Sequence, residues 1–139
     1  MRVVLDTNVF LSALISPHGA PNIIYQAWRA GKFDIVTSHI QLEELNRASR
    51  YPKFKSILQP AKVGTMINNL QHAIILERIS VKVNIDADDP NDTFLISMAI
   101  VGNADYLITG DRHAGLLKQK KIKNTFILTP TNFCLKIHY

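Results

Sequence analysis

Four acids in this chain, Asp6, Glu44, Asp92 and Asp111, stand where chemistry could be done, with Asp89 a few residues before the third. Asp6 ends the apolar run Arg2-Val3-Val4-Leu5, and Asp111 follows Tyr106-Leu107-Ile108-Thr109-Gly110. Neither run alternates polar and apolar residues, as expected of parallel strands covered on both faces. Each acid should therefore lie just past a strand's carboxyl end, where open α/β sheets bind ligands. Asp92 falls in the first turn of a helix, because Asp89-Pro90-Asn91-Asp92 supplies a cap, a proline at the first helical position and an acid for the exposed amides. Asp89 is accounted for by capping. Singly, each acid has an ordinary role as turn residue, helix cap or ion-pair partner, Glu44 with Arg47 for example. Together, four converging carboxylates would repel and raise one another's pKa, and a hard divalent cation relieves that. Mg²⁺ or Mn²⁺ suits such a set. Zinc is disfavoured, because the five histidines are scattered and Cys134 is the sole cysteine.

The elements that must carry these acids follow from period and punctuation. Ser38 caps a helix with Gln41 completing a capping box, and Pro52 forces the chain out at Tyr51. At helical period Ile40, Leu42, Leu45 and Ala48 define an inner arc that includes Glu44, whereas Glu43 falls outside with Arg47 four residues on. A buried carboxylate must be paired, protonated or metal-bound. The helix from Pro90 runs to about Val101 on Phe94, Leu95, Met98 and Ala99, and Asn103 closes it. Elsewhere the spacing predicts a short helix over 11–15, a helix from Pro21 to Ala30 stopped by Gly31, and a buried strand over 33–36. Pro60 should open a helix with Val63, Met66, Ile67, Leu70 and Ile74 on one face. Ile79, Val81, Val83 and Ile85 alternate as an edge strand, residues 116–123 form a short basic segment, 126–128 a last strand and 130–137 a terminal helix. Strands and helices alternate almost throughout. The expected fold is a single α/β domain over residues 1–139, a central mostly parallel sheet with helices on both faces.

Apolar residues make up 47% of the 139 and charged ones 19%, with no repeat or low-complexity tract. No apolar run approaches the roughly 20 residues of a membrane span, so a soluble protein without membrane attachment is expected. One cysteine suits a reducing cytoplasm, and Cys134 reads as a small buried hydrophobe. The net charge is +5 and the pI about 9.5. With the four acids set aside, seven acids face sixteen Lys and Arg, an excess of nine positive charges over the remaining surface. An acidic hole in a basic body suits a phosphodiester held by cations while its scissile phosphate meets bound metal. His113, beside Asp111, reads as an RNA contact or a plain surface residue. Lys118, Lys120, Lys121 and Lys123 read as a solvated charge run or a phosphate track.

These residues together resemble the PIN domain, specifically the VapC-like ribonucleases of toxin–antitoxin systems, over nearly the whole chain. The marks are Leu5-Asp6-Thr7-Asn8, Thr37-Ser38 leading to Glu44-Leu45, Asp89-Pro90-Asn91-Asp92, Leu107-Ile108-Thr109-Gly110-Asp111, and Leu128-Thr129-Pro130 before Phe133. The resemblance implies Asp6, Glu44, Asp92 and Asp111 as metal-binding acids and Asn8, Thr109 and Ser38 as polar supports. It implies Mg²⁺- or Mn²⁺-dependent RNA hydrolysis leaving a 5′-phosphate and a 3′-hydroxyl, with Arg112, His113, Lys118, Lys120 and Lys121 as candidate RNA contacts. A small antitoxin partner and a homodimer also follow. Where many relatives carry an acid before a leucine pair, this chain has Arg112, His113, Ala114 and Gly115 before Leu116-Leu117. A PIN-fold nuclease acting in RNA processing or on DNA flaps would share the same acids. So would a catalytically silent PIN module that binds RNA or protein.

Overall fold

The computed structural model describes residues 1–79, 90–110 and 114–137. Six strands form one sheet in the order β3-β2-β1-β4-β6-β5, parallel throughout except for the β5–β6 pair. β1 (Arg2–Leu5) is central, flanked by β2 (Asp34–Ser38) and β4 (Tyr106–Ile108); β3 (Ile74–Leu76) is one edge. β6 (Thr125–Leu128) adds to β4, and β5 (Lys121–Ile122) turns back along it as the other edge.

Strand alternation divides the core into two layers. Val3, Leu5, Ile35 and Ile108 face a cluster built by α1 (Thr7–Ile15), α2 (Ala20–Arg29), α3 (His39–Ala48), α4 (Pro52–Lys55), α5 (Pro60–Leu70) and α8 (Pro130–Ile137). Val4, Val36, Leu107 and Ile127 face the other way, onto α6 (Pro90–Val101) and α7 (Ala114–Gln119). Strands buried on both sides are why the sequence lacks alternation there. Phe10, Phe133, Leu5, Leu11 and Ile24 are almost wholly buried, each such side chain contributing about 1.5–3 kcal/mol by leaving water. Cys134 is buried, as expected.

α6 lies antiparallel to the strands. Arg2 Nη1 donates to the Gly102 carbonyl (3.0 Å) at the foot of β1, and the Ser38 hydroxyl donates to Met98 Sδ (3.4 Å) at the head of β2. The first turn of α6, with Asp92, therefore points to the sheet's carboxyl edge. Asn103, at φ 50°, ends the helix as its sequence position suggests. Gly102 permits the close approach, because a Cβ there would meet Val36 Cγ1 at 2.6 Å and the Met98 carbonyl at 2.9 Å. Gly102→Ala is expected to lower stability by about 1–3 kcal/mol in urea titrations, the cost of overpacking a fixed contact.

Three sequence expectations are corrected. α1 begins at Thr7 rather than Leu11, since Asp6 caps it. Ile74 belongs to β3 and not to the helix from Pro60, which ends at Leu70. Ile79 is not in a strand but packs on the α6 layer, and the other three members of that expected strand lie outside the described residues.

Candidate active site

β1 is where the chain reverses its direction of growth across the sheet. β2 and β3 are added on one side, β4 and β6 on the other. Two neighbouring strands whose connections leave in opposite directions open a crevice at their carboxyl ends. Asp6 follows β1 there, 6% exposed, and its backbone N–H continues the ladder to the Ile108 carbonyl (3.0 Å). Its carboxylate is held from both flanks of the crevice. Oδ2 accepts from the Thr109 hydroxyl at 3.0 Å, and Oδ1 from the Asn8 backbone N–H at 3.3 Å. Thr109 is fully buried just past β4, and its own N–H donates to the Leu128 carbonyl (3.0 Å). Thr109 thus ties the end of β4 to the Asp6 carboxylate. Asn8 lends its backbone amide.

Glu44 reaches the same place from α3. It is partly buried while Glu43 is exposed. Burial, then the nearby Asp6 charge, push its carboxyl above the usual glutamate value, against the weaker pull of Arg47 and a hydrogen bond with the Thr7 side chain. Glu44, close enough to Asp6 to feel its charge, and Asp6 itself are thus each held by a threonine hydroxyl.

Gln41 explains how α3 is locked to β1, and the sequence reading assigned it only to capping. It is 1% exposed. Its Nε2 donates to the Leu5 carbonyl and its Oε1 accepts from the Thr37 hydroxyl, both at 2.6 Å. The β1–β2 register runs from Arg2↔Asp34 to Val4↔Val36, so Gln41 bridges the strands where that pairing stops, one residue before Asp6. Ser38 does cap α3, accepting from the Gln41 N–H at 3.1 Å, but the Gln41 side chain does not return to complete the expected box. Ser38 therefore supports the helix rather than the carboxylates. Thr7, also missed, is 4% exposed; its place directly after Asp6 was the available signal.

Asp92 is 8% exposed in the first turn of α6, at the same sheet edge. Asp111, Arg112, His113 and Asp89 lie outside the described residues. Among the described residues no group of three or more Asp, Glu, His or Cys side chains gathers closely enough to hold a metal ion. The part brought together is the Asp6–Glu44 pair. Its fit to a divalent cation is chemical: both donors are carboxylate oxygens, and the ionisation that Glu44 resists beside Asp6 is what a hard cation would favour. Lys118 is exposed on α7, and Lys120 and Lys121 lie beside and on β5, three strands across from β1 and Asp6.

If Thr109 orients Asp6, Thr109→Val should keep the fold, being close in shape. If Asp6 also holds a metal ion, the variant should lose about 10- to 100-fold in activity, the usual cost of removing an outer partner of a metal ligand. Parallel thermal melts and rate measurements check both halves.

The family model of the PIN domain matches residues 2–113, and the chain belongs to that family. PIN nucleases generally work with divalent metal ions. Over 94% of its length the chain is 29% identical to an uncharacterised protein of Methanocaldococcus jannaschii, 86% of which is covered. Its fold is similar to that of a chain in the structure of VapBC2 from Rickettsia felis bound to a DNA fragment from their promoter. That match has a TM-score of 0.57 and 22% identity, covering 93% of this chain and 98% of the other. The VapC-like PIN fold read from the sequence is the fold found.

Proposed function

We infer that this chain is a metal-dependent endoribonuclease and the toxin of a type II toxin–antitoxin pair. It works with Mg²⁺ or Mn²⁺ in the cytoplasm as a homodimer and is held inactive by a small antitoxin. The observation that carries the reading is the Asp6–Glu44 pair at the switch point of the sheet. Asp6 and Glu44 would hold the cation, with Asp92 and Asp111 completing the set. When bound, the cation would supply an activated water and positive charge at the scissile phosphate. The chain's own residues fix the geometry. Thr109 and the Asn8 amide set the Asp6 carboxylate, Thr7 holds Glu44, and Gln41 keeps α3 against the end of β1. The basic excess on the rest of the chain supports a polyanionic substrate, and the likeness to a chain of a VapBC2 complex supports an antitoxin partner.

The test is incubation of total RNA with purified protein free of antitoxin, with Mg²⁺, Mn²⁺ or chelator. The expected outcome is cleavage with either metal and none with chelator, leaving 5′-phosphate ends that sequencing can map. Preference for flapped DNA over RNA would move the function to another PIN nuclease class. Metal binding without cleavage of either would indicate a binding module.

A further inference from the structure

The β5–β6 hairpin pairs Lys121 with Phe126 directly across the strands. Phe126 is 46% exposed, unusual for a large apolar ring in a sheet. It is supported from behind: its centroid lies 6.1 Å from that of Tyr106, which in turn packs 5.3 Å from buried Phe133. On its open side the Lys121 Nζ lies 4.9 Å from the ring centroid. Lys53 and Phe54 form a similar pair at 4.8 Å, but there the ring is only 9% exposed and offers no open face.

Two further lysines of this hairpin are not those that the turns would select. Lys120 has φ 57° and Lys123 φ 52°, bracketing the two residues of β5. That left-handed conformation favours glycine or asparagine, because a Cβ crowds the following carbonyl. Edge protection by a charged residue accounts for Lys121 but not for lysine at both strained positions. An aromatic face on a rigid sheet, with one cation against it and two more on the same hairpin, is the chemistry that receives an unpaired base and its phosphates.

We propose that the Phe126 face of the β5–β6 hairpin binds the single-stranded RNA substrate outside the cleavage site, one base stacking on Phe126 while Lys120, Lys121 and Lys123 contact flanking phosphates. This rests on the ribonuclease reading above. An exposed cation–π contact is weak enough for Lys121 to exchange the ring for a phosphate when a base arrives. Register places Phe126 two strands across and three residues down from Asp6, on the order of 15 Å away, within reach of one RNA strand.

The test uses fluorescein-labelled 12-nucleotide oligo(U) and oligo(A) RNA, with chelator present to prevent cleavage, followed by fluorescence anisotropy. A parallel 5-bromouridine oligonucleotide is photocrosslinked and the adduct mapped by mass spectrometry. Phe126→Leu should weaken binding at least about fivefold with little change in melting temperature, and the parent's crosslink should map to Phe126. Lys120→Gly and Lys123→Gly should keep or raise the melting temperature, yet each should reduce the salt dependence of binding by about one contact. Lys53→Gln, with the same loss of charge, should leave the crosslink unchanged. If the parent cleaves and binds RNA but Phe126→Leu and the lysine variants bind as tightly, this inference fails and the ribonuclease reading stands. If the parent neither binds nor cleaves RNA, both fail.

Discussion

Glu44→Gln is expected to lose metal-dependent RNA cleavage by more than about a hundredfold, since even the outer partners of metal ligands are worth up to that much. In chelator at pH 7 the same variant should melt higher than the parent. The second outcome follows from the sign of the Glu44 shift. Burial and the Asp6 charge raise its pKa above 4.5, so the folded state resists its ionisation. Below pH 4.5 the parent bears no such cost; as pH rises through the folded pKa the cost appears and persists. The neutral amide avoids it at every pH while still able to accept from Thr7. The melting difference should therefore shrink as pH falls toward 4.5. Adding Mn²⁺ should stabilise the parent and barely move the variant, because only the parent keeps both carboxylates. Full cleavage by the variant would remove Glu44 from the site. A lower melting point at pH 7 would show that Arg47 and the ionised Thr7 contact outweigh burial.

Gln41→Ala is expected to cost about 2–4 kcal/mol, roughly 5–20 °C in melting temperature. It leaves the buried Leu5 carbonyl and Thr37 hydroxyl without the amide that joins them. Asp6 follows Leu5 directly, so cleavage should also fall at temperatures where circular dichroism shows the variant folded. Normal cleavage by folded Gln41→Ala would mean that Thr109 and the Asn8 amide position Asp6 unaided.

Much of this was legible in the sequence where one local signal sufficed. Pro90, Asn103, Pro130 and the apolar runs ending at Asp6 and Thr109 marked α6, α8, β1 and β4 because caps, breakers and two-sided burial act within a few residues. Glu44 was found on a helical wheel that was slightly misaligned. Ile40, placed on the inner arc, is 58% exposed, and Gln41 is buried in its stead. The burial of a glutamine depends on partners in β1 and β2 that no periodicity encodes. β3 was missed because three residues carry no period and Ile74 continued the helical spacing of α5. The reversal at β5 was equally hidden, since its turn is built on Lys123 with φ 52° rather than on glycine.

The hydrogen bond between Thr109 and Asp6 spans 103 positions of sequence, and β1 gains β4 as its neighbour only after the intervening chain has been made. At about 5–20 residues per second, the ribosome needs roughly 5–20 s between making the aspartate and making its support. Pairings so distant in sequence are also intrinsically slow to form. The nascent chain therefore carries its first carboxylate without this support, and the crevice closes around Asp6 only once β4 has been made.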